Sequence, residues 1–103
     1  MLLREGWNDP RKRRDRLEII AVMLKAARVG VQKTQMMYEA GLSSAQLAEY
    51  LSFLVRLGLL EASKKNERLI YETTARGKLY VKKYEEIKHF LRQSSEHSPQ
   101  WAY

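Results

Sequence analysis

The sequence predicts a mainly helical fold with one small two-stranded β-hairpin and an extended last helix. Two observations carry this expectation. Apolar residues recur at helical spacing in several segments, each bounded by its own capping residue or glycine. Two short β-type runs enclose a polar turn just before the last of those segments. Size agrees, because 103 residues without cysteine make a single core that must stand without disulfides. Hydrophobic residues at 45% and charged residues at 30% place the chain among globular proteins rather than disordered ones.

Residues 1–10, with Gly6, Asn8, Asp9 and Pro10, are expected to form a loose arm. The first helix then runs to about Val29. Asp15 and Glu18 stand at capping-box spacing, and Asp9-Pro10 offers a second possible start. Leu17, Ile20, Met23, Leu24 and Ala27 form its apolar stripe, and Gly30 stops it. A second helix is expected over Lys33 to Ala40, with Met36, Met37 and Ala40 inward and Gly41 closing it. Leu42 plugs the turn and Ser43 caps a third helix, Ser44 to Leu57, which is ended by Gly58. Leu47, Tyr50, Leu51, Leu54 and Leu57 make the third stripe. Strands are expected at 59–63 and 68–73, around a four-residue turn, Lys64-Lys65-Asn66-Glu67. Thr74 caps a last helix from Ala75 to about Arg92. The domain is thus expected over 11–93, and a tail over 94–103 contains three serines and Pro99.

Helix, turn, helix, then a hairpin, then another helix is the order of a winged helix-turn-helix. The residues themselves strengthen this. Lys33-Thr34-Gln35-Met36-Met37-Tyr38, Gly41-Leu42-Ser43, Tyr50-Leu51-Ser52-Phe53-Leu54, Gly58-Leu59-Leu60-Glu61 and Tyr71-Glu72-Thr73-Thr74-Ala75-Arg76-Gly77 together resemble the small archaeal winged-helix DNA-binding proteins. The resemblance covers about Arg13 to Phe90. It implies a DNA-binding protein, either a transcription regulator or a chromatin-type protein similar to those of Sulfolobus. The latter pair through a long antiparallel coiled-coil helix; the last helix here is expected to be shorter.

Charge points the same way. The chain carries a formal charge of +7, and twelve of its nineteen Lys and Arg residues fall within Arg11–Arg16, Lys64–Arg68 and Arg76–Lys83. Such clustering suits a polyanion partner. Arg11, Lys12, Arg13 and Arg14 stand near a helix N-terminus, where cations oppose the macrodipole, so phosphates are the expected compensation. On the third helix, the face opposite the leucines offers Ser44, Gln46, Glu49, Ser52 and Arg56 as candidate DNA contacts. Gln46 suits adenine, Arg56 suits guanine, and Glu49 is tolerable only where it accepts from a cytosine amine. Two alanines share that face, so only modest sequence specificity is expected. Lys64, Lys65 and Arg68 are the wing's candidate phosphate contacts, and Lys33 is that of the second helix.

Tyr80, Tyr84, Ile87 and Leu91 follow at spacings of 4, 3 and 4, with Phe90 beside them. This seam predicts a homodimer through the last helix, its inner part shared with the first helix. Glu85 and Glu86 are expected to pair with Lys82, Lys83 and Lys88 along the same helix.

Catalysis finds little footing. His89 and His97 stand eight apart, away from metal-ligand spacing, and no Gly-rich phosphate loop is present. The sequence therefore predicts no enzyme, no cofactor, no metal and no small-molecule ligand. The longest apolar run, Ile19–Leu24, falls far short of the roughly 20 residues of a membrane span. Arg4 and Glu5 interrupt any signal-peptide core, so a cytoplasmic, nucleoid-associated location is expected. Three functions fit: a transcription regulator foremost, a sequence-tolerant chromatin protein, or a winged-helix protein-interaction adaptor without DNA binding.

Overall fold

The computed structural model describes residues 15–96. The chain forms α1 (Arg16–Ala26), α2 (Lys33–Ala40), α3 (Ser44–Arg56), β1 (Leu60–Lys65), β2 (Arg68–Thr73) and α4 (Ala75–Glu96). Three of the four helices begin at a side-chain cap; α2, after Gln32, has none. Of the two possible starts for α1, Asp15 is the cap in use: its carboxylate accepts from the Glu18 amide at 2.8 Å. Asp9-Pro10 lies outside the described residues. Ser43 and Gln46 form a full capping box on α3, each side chain accepting from the other's backbone N–H at 3.1 and 3.0 Å. Gly41 closes α2 in the left-handed conformation, with φ at 65°, so the chain turns sharply from α2 into α3.

One core lies among α1, α2, α3 and the hairpin, centred on Met23, Leu24, Met36, Leu47, Leu54 and Leu60. Most stripe residues reach it. Leu17 and Leu57, expected inside, are 56% and 41% exposed. They sit at the start of α1 and just past the end of α3, on the rim of an open groove between these helices and α4. α1 also stops at Ala26 rather than Val29: the amides of Arg28 and Gly30 bond to carbonyls only three residues back, those of Lys25 and Ala27, so the chain finishes in turns.

The hairpin is longer than the sequence suggests. Lys65 pairs with Arg68 and Lys64 with Leu69, leaving a two-residue turn, Asn66-Glu67. Both turn residues have positive φ, 51° and 65°, the signature of a type I′ turn. Lys64 and Lys65 are therefore strand residues on opposite faces, not members of a loop. Val31 adds a single antiparallel bridge to Tyr71, with backbone bonds of 2.9 and 2.8 Å, giving β2 a partner on its second edge.

Thr74 caps α4 as expected, its hydroxyl accepting from the Gly77 amide at 3.0 Å. The helix continues past Arg92 to Glu96, since serines at 94 and 95 do not break a helix and the next proline is Pro99. Glu85 pairs with Lys25 of α1 rather than along its own helix. That partner was invisible to intrahelical spacing. Among the described residues no helix is long and apolar enough to cross a membrane.

Candidate nucleic-acid interface

Leu47, Leu51 and Leu54 fix α3 against the core, which turns Ala45, Ala48, Glu49, Ser52 and Arg56 outward. This outer face divides along its length. On the wing side, Ala48, Ser52 and Val55 of α3 face Ala62 of β1 and Tyr71 of β2 across a slot of about 330 Å³, with Lys33 of α2 at its edge. On the other side, Glu49, Tyr50, Phe53 and Arg56 share a hollow of about 290 Å³ with Arg16 of α1.

Arg16 is the site residue that sequence reasoning missed. It belongs to the basic run 11–16, but spacing within that run assigns it no partner, since only the packing of α1 beside α3 brings it to the recognition face. Arg11, Lys12, Arg13 and Arg14 lie outside the described residues. Gln46 has its side-chain oxygen committed to the Ser43 cap. A bidentate contact to adenine needs that oxygen, so such reading would require the cap to open. Ser44 is exposed in the first turn of α3.

The hairpin presents its cations in a defined order. Strand alternation puts Lys64 on the face shared with Leu60 and Ala62, towards the slot, and puts Lys65 and Arg68 together on the reverse face. Two like charges directly opposed cost free energy unless an anion lies near. The one ion pair among the described residues joins Lys25 to Glu85, away from this face.

On α4, the expected seam is put to two uses. The Tyr80 hydroxyl donates to the Leu17 carbonyl at 2.9 Å, and its ring stacks on Tyr84 with centroids 6.3 Å apart. Burial, then the neighbouring Tyr84 and Asp15, push the Tyr80 phenol up to about 12. The Lys88 ammonium lies 5.3 Å from the Tyr84 ring centre. Farther out, Ile87, Phe90 and Leu91 are 58%, 64% and 59% exposed. Leu79 is half exposed. With Leu17, Phe53 and Leu57 it borders an apolar groove of about 400 Å³, with Arg76 and Lys83 also lining it. Among the described residues no group of His, Asp or Glu is placed to hold a metal ion.

A helix-turn-helix whose second helix is outward and cation-flanked, followed by a hairpin and a capped helix, has its counterpart in one family model, which matches residues 13–92. The chain belongs to the winged helix-turn-helix family. Among solved structures, this winged helix is similar to Sso10a-2, a DNA-binding protein from Sulfolobus solfataricus, at 30% identity and a TM-score of 0.68. That likeness covers 82% of this chain and 93% of Sso10a-2. It also resembles Bordetella bronchiseptica BpsR, whose DNA binding is regulated by 6-hydroxynicotinic acid, at 14% identity and a TM-score of 0.65 over 90% of this chain and 76% of that one. The adhesin competence repressor AdcR of Streptococcus pyogenes aligns at 16% identity and 0.56, over 92% and 74% of the two chains. At these last two identities the likeness is one of fold. No curated protein sequence matches the chain.

Proposed function

We propose that this winged helix binds double-stranded DNA and acts in the cytoplasm as a transcription regulator, with α3 in the major groove and the wing on the flanking backbone. One observation carries the reading. Arg16, Lys33 and Arg56, from three helices, line the hollows on the outer face of α3, Lys64 stands on the wing face shared with Ala62, and none of the four is ion-paired among the described residues. A cationic rim without internal neutralisation matches a phosphate backbone on either side of a groove. Arg11 to Arg14, just before Asp15 in the sequence, add four further cations to the chain. The DNA-binding neighbour Sso10a-2 supports the reading.

The functional particle in this reading is a homodimer joined through α4. Ile87, Phe90 and Leu91 leave three large apolar side chains in water on the outer part of that helix, as a helix-pairing seam would. Tyr80 and Tyr84 serve α1 as well as the inner end of the seam.

A second reading has its own support. Ala45, Ala48, Ser44 and Ser52 give α3 few groups that read bases by hydrogen bonding, which favours a sequence-tolerant chromatin role. Gel-shift titration of promoter and random-sequence duplexes at two salt concentrations separates the two. Site-selective binding supports the regulator, and equal, salt-steep binding supports the chromatin protein. No binding even at low salt refutes both and leaves the adaptor. Replacing Lys64, Lys65 and Arg68 by alanine should flatten the log–log salt slope by up to about 3, at about 0.9 per phosphate contact. Sedimentation of Ile87→Glu, Leu91→Glu against the wild type tests the dimer; a monomeric wild type refutes it.

A further inference from the structure

The slot between α3 and the wing has an unusual wall for a nucleic-acid surface. Ala48 and Val55 of α3 and Ala62 of β1 line it with methyl groups, and Ser52 is the one short polar side chain that α3 contributes. Val55 is 40% exposed. Leu69 is 44% exposed, and its register opposite Lys64 places it on the same face of the hairpin as Ala62 and Tyr71. The domain thus keeps two large aliphatic side chains in water beside its recognition helix. Lys33 stands at one edge and Lys64 farther along the strand, and no carboxylate lines the slot. An apolar surface bordered by unpaired cations fits a partner that is anionic at its margins and apolar at its centre.

The major groove of thymine-bearing DNA has that character: phosphates on both rims, and on its floor the C5-methyl of each thymine, the apolar group among the base edges. Alanine and other small apolar side chains make contact with this methyl, and their shortness lets the helix backbone approach closely. Ala48, Ser52 and Val55 follow at i, i+4 and i+7, so they run about 10 Å along the helix, roughly three base-pair steps. We propose that the wing-side flank of α3 recognises thymine methyl groups by apolar contact, so that the protein prefers runs of A·T pairs, read in the major groove. This inference rests on the DNA-binding reading above. It gives that reading a source of selectivity that needs no hydrogen-bonding readers on α3.

The test removes the methyl and nothing else. Full-length protein is titrated against an A·T-rich duplex containing thymine, and against the same duplex with deoxyuracil at each thymine. Binding to deoxyuracil should weaken by about fourfold for each methyl contacted, the factor equivalent to about 0.8 kcal/mol per buried methyl-sized group. The salt slope should be the same for both duplexes, since the phosphates are untouched. A second arm adds the methyl elsewhere: 5-methylcytosine in a G·C duplex, which carries it at the equivalent ring position, should bind more tightly than cytosine. Val55→Ser, at a partly exposed helical position, should shrink the thymine-to-uracil ratio in a variant whose circular dichroism matches the wild type. Equal affinity for the thymine and uracil duplexes, with DNA binding intact, overturns the inference and spares the DNA-binding reading. Binding to neither duplex overturns that reading and the inference with it.

Discussion

Gly77 lies in the first turn of α4, and replacing it by alanine sets two forces against each other. In a helix considered alone, Gly→Ala stabilises by about 1 kcal/mol. Here a Cβ on residue 77 would stand 2.3 Å from the Leu59 carbonyl oxygen and 2.6 Å from Thr73 Cγ2. Ordinary contacts are near 3.3–3.6 Å for carbon to oxygen and about 3.5–4.0 Å for carbon to carbon, so each neighbour would have to retreat by roughly 1 Å. Neither is free to do so. The Leu59 carbonyl is held by the Thr74 amide at 3.1 Å. Thr73 is buried, with its hydroxyl donating to the Leu24 carbonyl at 2.6 Å and its amide to the Ala27 carbonyl at 3.0 Å.

Relief must therefore come from moving α4 off the hairpin or from breaking the buried Thr73 bond. Overpacking costs about 1–3 kcal/mol, and an orphaned buried polar group a further 1–3 or so. After the helix-propensity gain, Gly77→Ala should destabilise the domain by roughly 1–5 kcal/mol. For a domain this size that lowers the melting temperature by at least about 4 °C. Circular dichroism melts and urea titrations of wild type, Gly77→Ala and the exposed neighbour Lys78→Ala would measure it. An unchanged or higher melting temperature for Gly77→Ala would show that the helix does not pass the Leu59 carbonyl this closely, and that propensity alone governs the site.

Two further outcomes are expected. Tyr80 is raised to about 12 from an ordinary value of 10.0, so the unfolded chain ionises this phenol first. The stability it contributes is full below about pH 10 and is lost as pH rises through 12. Tyr80→Phe should weaken that alkaline decline and, by losing the bond to Leu17, cost about 1 kcal/mol at neutral pH. Tyr84, also raised by burial, leaves part of the slope in place; urea midpoints at pH 8 and pH 11 check both. At the wing tip, Glu67 holds φ at 65° in a position that suits glycine, so Glu67→Gly should raise stability by about 0.5–1 kcal/mol. A lower melting temperature there would assign the turn another geometry.

Features set by near neighbours in sequence were legible before the structure. The Ser43 cap, the Gly41 stop and the Thr74 cap each depend on residues within three or four positions, and each stands where the spacing put it. The wing was undersized because Asn66-Glu67 lacks the glycine that marks a two-residue turn, so the lysines beside it read as loop. Periodicity separated the inner face of α3 from the outer one. It could not divide the outer face into an apolar flank towards the wing and a charged flank towards Arg16, because that division belongs to α1 and the hairpin. Leu17 and Leu57 mark the same limit. Each is apolar and in register, yet each is half exposed around a groove that exists only where three helices meet. The Lys25–Glu85 pair, sixty residues apart, had no local signal at all.

How α4 is joined to the rest bears directly on the proposed function. Three hydrogen bonds tie its start to the residues that follow α3: Arg76 Nε donates to the Leu57 carbonyl at 3.0 Å, the Thr74 hydroxyl to that of Gly58 at 2.6 Å, and the Thr74 amide to that of Leu59 at 3.1 Å. The direction of α4 is thus set against the recognition helix by bonds of fixed geometry rather than by packing alone. Any second copy held on Ile87, Phe90 and Leu91 would inherit that direction. Two recognition helices can act on one duplex only when their separation matches the helical repeat, about 34–36 Å per turn. With 22 residues, α4 is about 33 Å long, a lever of that same order. Spacing in a dimer would then be decided at Thr74 and Arg76, far from any base the protein touches.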